Sequence, residues 1–279
     1  MGTIVNPPPL DQLTMASFVG AAKPLSPGAI GGAAERTGVK EAMLRAVLLT
    51  ETGGREPFTA PTNHMQILNE AHYNYKLNGN VVVPGLAVKK WDRSLYARTT
   101  KGEYDRLIAA CQHPAIGYDV ALQSVSWGMP QIMGANHKMC GYPDVRSFVQ
   151  AMADSGQAQL DAFVAFLQAA GLIAKMKALD FDGVAAGYNG TAYRENNYHI
   201  KIANAYARLV GSSDNKLGVG DQGPDVRALQ QRLNDRGAGL TVDGDFGKRT
   251  TLALENFQKI NGLPVTGLVD AATVAKLGL

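Results

Sequence analysis

Apolar residues along this chain recur three and four positions apart, in short segments closed by glycine or proline. That spacing gathers them on one face of a helix, so the chain must bury its apolar surface by packing helix on helix. The clearest case is Leu160, Phe163, Val164 and Leu167, spaced i, i+3, i+4, i+7, with Gly171 placed to end a helix over Gly156–Ala170. The same reading predicts helices over Gly102–Cys111, Asp119–Val125, Asp144–Ala153, Phe181–Ala186 and Tyr198–Val210, the last with Ile202, Ala205, Tyr206 and Leu209 inward. A weak helix is expected around Asp11–Val19, and Ser26-Pro27 supplies an N-cap and an N1 proline for one running to about Arg36. Between Arg55 and Val83 the period is lost among proline, asparagine and glycine, with short strands expected at Met65–Leu68 and Val81–Val83.

One residue breaks the pattern. Val39, Met43 and Val47 form an apolar stripe at four-residue steps, and the next step lands on Glu51, ahead of Thr52-Gly53-Gly54. A carboxyl group at the end of a packed helix beside an open glycine turn suits a general acid. Partial desolvation would lift its pKa from about 4.3 towards 6–7. The alternative is a helix-terminal Glu that points into solvent. The polar, aromatic stretch that follows, with His64, Gln66, Glu70, His72, Tyr73 and Tyr75, could line a groove for a hydroxyl-rich ligand.

With 279 residues, 46% hydrophobic and 18% charged, the chain is an ordinary globular protein of one large domain or two unequal ones. A net charge of +3 is too small to argue for nucleic acid and suits an acidic polymer such as a bacterial cell wall. Cys111 and Cys140 make no disulfide framework and are expected as buried thiols. The N-terminus has no basic segment followed by an apolar one, so synthesis in a cytoplasm without a secretory signal is expected, and no apolar run is long enough to span a membrane. The five histidines form no H-E-x-x-H pair and Ser126 sits in no G-x-S-x-G elbow, so neither a metal, another cofactor nor a serine nucleophile is expected.

The tail has its own logic. Val242-Asp243-Gly244-Asp245-Phe246-Gly247-Lys248-Arg249-Thr250 echoes Val265-Thr266-Gly267-Leu268-Val269-Asp270-Ala271-Ala272-Thr273, each copy a turn feeding a helix. With the helix opened by Pro224, this makes a small three-helix domain over 217–279. The polar residues 212–216 read as the linker, and 1–211 as the first domain with a leader over 1–25.

Gly220-Asp221-Gln222-Gly223-Pro224-Asp225-Val226, Leu229-Gln230, Asp243-Gly244-Asp245-Phe246-Gly247, Thr250, Phe257-Gln258 and Gly262-Leu263 cover nearly the whole tail. In them it closely resembles the peptidoglycan-binding-like module of bacterial and phage wall enzymes. From about Val39 to Leu209 the chain resembles the N-acetylmuramidase domain of modular phage endolysins. Four blocks carry that likeness: Glu51-Thr52-Gly53-Gly54, Ile67-Leu68-Asn69-Glu70-Ala71-His72, Ser126-Trp127-Gly128-Met129-Pro130-Gln131-Ile132-Met133-Gly134 and Gly187-Tyr188-Asn189-Gly190. The skeleton of Glu, Ser-x-Gly-x-x-Gln and Tyr-Asn is also similar to that of goose-type lysozymes and lytic transglycosylases. Two departures stand out. Asn69 and Ala71 flank Glu70 where the family usually has an aromatic and an arginine, and the wall-binding module follows the catalytic one instead of preceding it.

The resemblance implies a mainly α fold, a two-lobed lysozyme-like catalytic domain plus a three-helix wall-binding domain. It implies a glycosidase acting on peptidoglycan, with Glu51 protonating the oxygen between N-acetylmuramic acid and N-acetylglucosamine. Glu70, with Asp92 as the second candidate, would position or activate water, a surface or structural salt-bridge role for Glu70 staying open. His72, Trp127, Gln131, Tyr188 and Asn189 would contact substrate, Trp127 being equally open to a core role. The expected partner is peptidoglycan, held by a monomer that neither binds nucleic acid nor inserts stably in a membrane. A lytic transglycosylase and a non-catalytic wall-binding protein are the rival readings, and a phage enzyme would need a membrane hole to reach the wall.

Overall fold

A computed structural model describes residues 4–53, 56–210 and 217–279. The backbone divides into two compact units, Met1–Glu41 with Glu51–Ile173, and Ala42–Thr50 with Ala174–Leu279. Residues 211–216, which hold the expected linker, lie outside the described residues, as does Gly54.

The first unit begins with Ile4, whose carbonyl accepts a hydrogen bond from the Tyr118 hydroxyl at 3.1 Å. The weak helix expected around Asp11–Val19 is instead two separate 3-10 turns, Leu10–Gln12 and Met15–Phe18. Phe18 anchors the second, fully buried against Tyr104 and Tyr118. Helix α1 (Ala29–Thr37) starts later than Ser26-Pro27 predicts, because Gly28 adopts φ +80 and breaks the helical path behind it. α2 (Glu41–Thr52), whose residues Ala42–Thr50 belong to the second unit, carries the predicted stripe, and Val39, Met43 and Val47 are all buried.

A three-stranded antiparallel sheet runs β1 (Ile67–Asn69), β2 (Val125–Trp127), β3 (Ile132–Met133), with Ile67 opposite Trp127 and Trp127 opposite Ile132. Around it lie α3 (Ala71–Leu77), α4 (Thr100–Gln112), α5 (Tyr118–Gln123), α6 (Val145–Asp154) and α7 (Gly156–Ala169). Side-chain caps set the starts of three of these: Thr99 accepts from Gly102 N, Asp144 from Ser147 N and Ser155 from Ala158 N. Gly171, at φ +68, follows α7 as expected. Val125, predicted to end a helix, belongs to β2, and Val81 and Val82 are exposed and unpaired while Val83 only bridges to Ala87.

Gly128 opens the β2–β3 turn at φ +65, and a Cβ there would come within 2.7 Å of Gln159 Oε1. That buried amide accepts from Met129 N at 2.7 Å and donates to Met152 O at 2.9 Å, pinning the turn to α6 and α7. Only glycine fits.

In the second unit, α8 (Leu172–Lys177) straddles the division and leads to α9 (Phe181–Asn189), which packs on α10 (Tyr198–Leu209) through Phe181 and Tyr206. Ile202 and Tyr206 are buried as expected. Leu209 is 39% exposed, since the apolar stripe has already turned away from the core at the helix end. α11 (Pro224–Asn234), α12 (Lys248–Ile260) and α13 (Ala271–Leu277) share a core of Val226, Leu229, Leu233, Phe246, Leu254 and Phe257. Ile200 of α10 packs on that core, and the Arg208 guanidinium pairs with the buried Asp221 carboxylate, whose Oδ2 also accepts from Gly218 N.

The echo in the tail has a physical basis. Gln230 and Gln258, both buried, each reach into the turn before the next helix. Gln230 donates to Asp245 O and Thr250 Oγ1 and accepts from Gly244 N. Gln258 donates to Leu268 O and Thr273 Oγ1 and accepts from Gly267 N. Gly244 and Gly267 take φ +76 and +66, so the repeated glycines serve the same turn twice.

Candidate active site

Strand β1 delivers Glu70 to the start of α3, where Glu70 N donates to Ser124 O at 2.9 Å. The flanking residues Asn69 and Ala71 are both buried. Asn69 is tied to Glu103, a carboxylate on α4 that is 4% exposed. Glu103 Oε2 accepts from Asn69 N at 2.9 Å and Asn69 Nδ2 at 2.6 Å, while Oε1 accepts from Ala97 N at 2.7 Å. One buried acid therefore fixes both the end of β1 and the loop carrying Tyr96. The charge is tolerated because three N–H groups solvate it.

Tyr96 donates its hydroxyl hydrogen to Glu70 Oε2 at 2.8 Å, and His72 Nδ1 lies 3.2 Å from the same oxygen. Glu70 Oε1 carries no hydrogen bond among the described residues. Trp91 Nε1 donates to the Tyr96 oxygen at 2.5 Å, and the two rings meet edge to face. Burial, with the Glu70 charge beside it, pushes the Tyr96 phenol well above its ordinary value, so it stays a donor. Trp91 itself is 57% exposed. Its N–H is engaged, so the surface it offers to solvent is apolar indole. Glu70, His72, Trp91 and Tyr96 line one shallow depression with Asp92 and Leu95.

Glu51 sits in the last turn of α2, half-buried, with Oε1 shut off from solvent, and Gly53 follows at φ +61. Tyr188 and Asn189 end α9, both half-buried. Asn189 Nδ2 is buried and has no hydrogen-bond partner among the described residues. Thus Glu51, Glu70, His72, Trp127 and Gln131 belong to the first unit, and Tyr188 and Asn189 to the second.

Trp127 takes the core role that its reading left open, and Gln131 has partners of its own. Trp127 is fully buried, with its indole N–H on Leu122 O at 2.9 Å, so neither ring face is open to a sugar. Gln131 turns its amide nitrogen back onto Gly128 O at 2.7 Å and Gln66 O at 3.3 Å, while its own φ is +49. It clasps the hairpin turn. Asp92 is exposed and caps a turn through Ser94, which lowers its carboxyl below the usual range. His64 is buried, held at Nε2 by Met15 O, and burial lowers its pKa.

Residues 40–210 match the family profile described as N-acetylmuramidase. The chain belongs to that family. Residues 222–277 match a second profile, described as a putative peptidoglycan binding domain. The crystal structure of the Burkholderia AP3 phage endolysin aligns with a TM-score of 0.58 at 36% identity, over 68% of this chain and 72% of that one. A stretch of 68 residues, 24% of the chain, is 41% identical to an uncharacterized protein of Kitasatospora aureofaciens, and spans 58% of that protein's length. In this N-acetylmuramidase family member the helical segment has the lysozyme-like endolysin fold, followed by the small wall-binding fold.

No sequence motif singles out Trp91, Tyr96 or Glu103, the three residues that shape the surroundings of Glu70. Among the described residues no three His, Cys, Asp or Glu side chains are grouped to hold a metal ion. Cys111 and Cys140 are free and buried, as expected, and burial pushes the Cys140 thiol up to about 12.

Proposed function

We propose that this protein is a peptidoglycan hydrolase of the endolysin kind, cleaving the β-1,4 bond between N-acetylmuramic acid and N-acetylglucosamine. The observation that carries the reading is Glu51, within the stretch that matches the N-acetylmuramidase family, ending a packed helix with one carboxyl oxygen sealed from solvent. In this reading that carboxyl group delivers the proton to the glycosidic oxygen. Protonation of that oxygen lets the bond break through an oxocarbenium-like transition state. Glu70 receives the second role. With Oε2 held by Tyr96 and His72, its Oε1 is left to orient a water, which favours hydrolysis over attack by the sugar's own 6-hydroxyl. Trp91 offers a flat apolar face for a sugar ring, the role first expected of Trp127. Tyr188 and Asn189 supply further contacts to hydroxyl and acetamido groups, and Gln131 acts by holding the turn.

The catalytic part is proposed to extend over residues 1–211 and the wall-binding part over 217–279. Among the described residues no helix is long and apolar enough to cross a membrane. Synthesis in the bacterial cytoplasm, with passage to the wall through a hole made by another protein, completes the reading.

The test is Glu51→Gln assayed on purified cell walls by loss of turbidity. A general acid contributes roughly 10²–10⁴-fold, so a drop of that size is expected, and full activity would refute the assignment. Mass spectrometry of the released fragments adds the second half. Reducing ends are expected, whereas 1,6-anhydro ends would turn the enzyme into a lytic transglycosylase.

A further inference from the structure

Helix α12 has a second, unexplained face. Thr250, Leu254, Phe257 and Gln258 point into the core, yet Arg249, Leu252, Asn256 and Ile260 line up on the opposite side at helical spacing. Leu252 is 56% and Ile260 74% exposed, more apolar surface than a solvated helix face needs. This face forms one wall of a groove of about 570 Å³, closed on the other side by the end of α11 and the Gly237–Leu240 loop. That volume falls within the range of small-ligand sites, roughly 300–1,000 Å³.

The lining chemistry is selective. Two cations, Arg236 and Arg249, border the groove and no carboxylate does, although the tail as a whole holds seven Lys or Arg against seven Asp or Glu. Arg236 is already committed, donating to Leu277 O at 2.7 Å and Arg232 O at 2.9 Å with its guanidinium over Phe257. Arg249 makes no ion pair or hydrogen bond among the described residues, and neither does the Asn256 amide beside it. Sugar stacking is not available here. No Trp or Tyr occurs after Tyr206, and Phe246 and Phe257 are buried.

We propose that this groove is where the C-terminal module grips the wall, and that it takes the stem peptide, not the glycan. Small alanine side chains fit against Leu252 and Ile260, and a peptide carboxylate meets Arg249, with Asn256 bonding the peptide backbone. A second cleft of about 520 Å³, lined by Asp221, Asp225 and Val274, has the opposite character. Its cation, Arg208, is paired with Asp221, so it would repel the same ligand.

The proposal rests on the peptidoglycan-hydrolase reading, and the test separates the two. The full chain is sedimented with purified sacculi in the cold, and with glycan strands stripped of peptide by an amidase. Wild-type protein is expected to pellet with sacculi and about tenfold less with stripped glycan. Arg249→Ala should show the same loss on sacculi, Arg249→Glu a larger one, and Asp225→Asn in the second cleft none. Calorimetry with a soluble tetrapeptide, L-Ala-γ-D-Glu-diaminopimelate-D-Ala, should give binding that weakens with salt and disappears in Arg249→Ala. An unchanged melting temperature confirms that the variants are folded. Equal binding of wild type to stripped glycan, or of Arg249→Ala to sacculi, overturns the groove while leaving the enzyme reading intact. Failure of the wild type to bind sacculi at all overturns both.

Discussion

Replacing Glu103 by Gln keeps shape and volume and changes only which oxygen can accept. In the native protein Oε2 takes two hydrogens from Asn69 and Oε1 takes one from Ala97. If the introduced amide keeps its oxygen towards Asn69, its NH₂ group confronts the Ala97 N–H, and the reverse orientation strands Asn69. Hydrogen bonds to a charged group contribute about 1.5–3 kcal/mol, and a stranded buried donor costs about 1–3 kcal/mol. The neutral amide also escapes the cost of burying a charge. That relief is small where three donors already solvate the carboxylate, and we set the net loss at about 2–4 kcal/mol. For a protein of this size that lowers the melting temperature by roughly 5–15 °C. Because Ala97 follows Tyr96, the same change loosens the donor on Glu70. Two readouts are needed: the Tm followed by tryptophan fluorescence, and kcat/KM on a soluble glycan well below the melting range. Both should fall. A Tm equal to or above that of the wild type would mean that burial of the charge outweighs its hydrogen bonds, and the account of the site's framework would fail.

Three other outcomes follow from the geometry. Gln258→Leu strips the turn at Thr266–Leu268 of its buried partners, a loss of about 3 kcal/mol, so amides there should exchange with solvent about 100-fold faster; unchanged exchange would sink the latch. His64 is buried with its pKa lowered, so the unfolded chain takes up a proton that the folded one resists. The stability it contributes is complete above about pH 6.5 and is lost as pH falls towards the lowered value. Tm measured from pH 7 to pH 5 should therefore drop more steeply in the wild type than in His64→Gln, and parallel curves would argue against it. Trp91→Ala removes an exposed ring, so it should leave Tm within about 2 °C while raising KM on soluble glycan several-fold. A KM equal to that of the wild type would remove Trp91 from the substrate path.

What is legible in the sequence follows from length and period. The helices of ten or more residues, such as α4, α6 and α7, announce themselves because their buried faces repeat often enough to be counted. The repeat in the tail is equally plain, since its glycines and threonines serve one turn geometry twice. α3 is hidden because its seven residues include His72, Tyr73, Asn74 and Tyr75, poor helix formers with Asn74 buried by a bond to Leu86 O. Strands of two and three residues are too short to show alternation, so neither β2 nor β3 is predicted from the sequence. In the candidate site, Glu51 and Glu70 are visible through their blocks. Glu103 is not, because its partners lie 34 positions away in Asn69 and on the backbone of Ala97. Trp127 and Trp91 exchange places between expectation and structure for a related reason: the conspicuous motif holds the buried ring, while the exposed one sits in a loop without period.

The contact between α10 and the tail bears on how such chains can be recombined. Ile200 rests on the core formed by α11 to α13, and Arg208 balances the charge of Asp221. An exchange of tails at residue 210 would bare an isoleucine and orphan a guanidinium, while the departing module would carry a buried aspartate with no counterion. A tail joined at the polar stretch must therefore bring a replacement for Asp221 and for the apolar seat of Ile200. A donor module lacking both would be joined in sequence yet a stranger in structure.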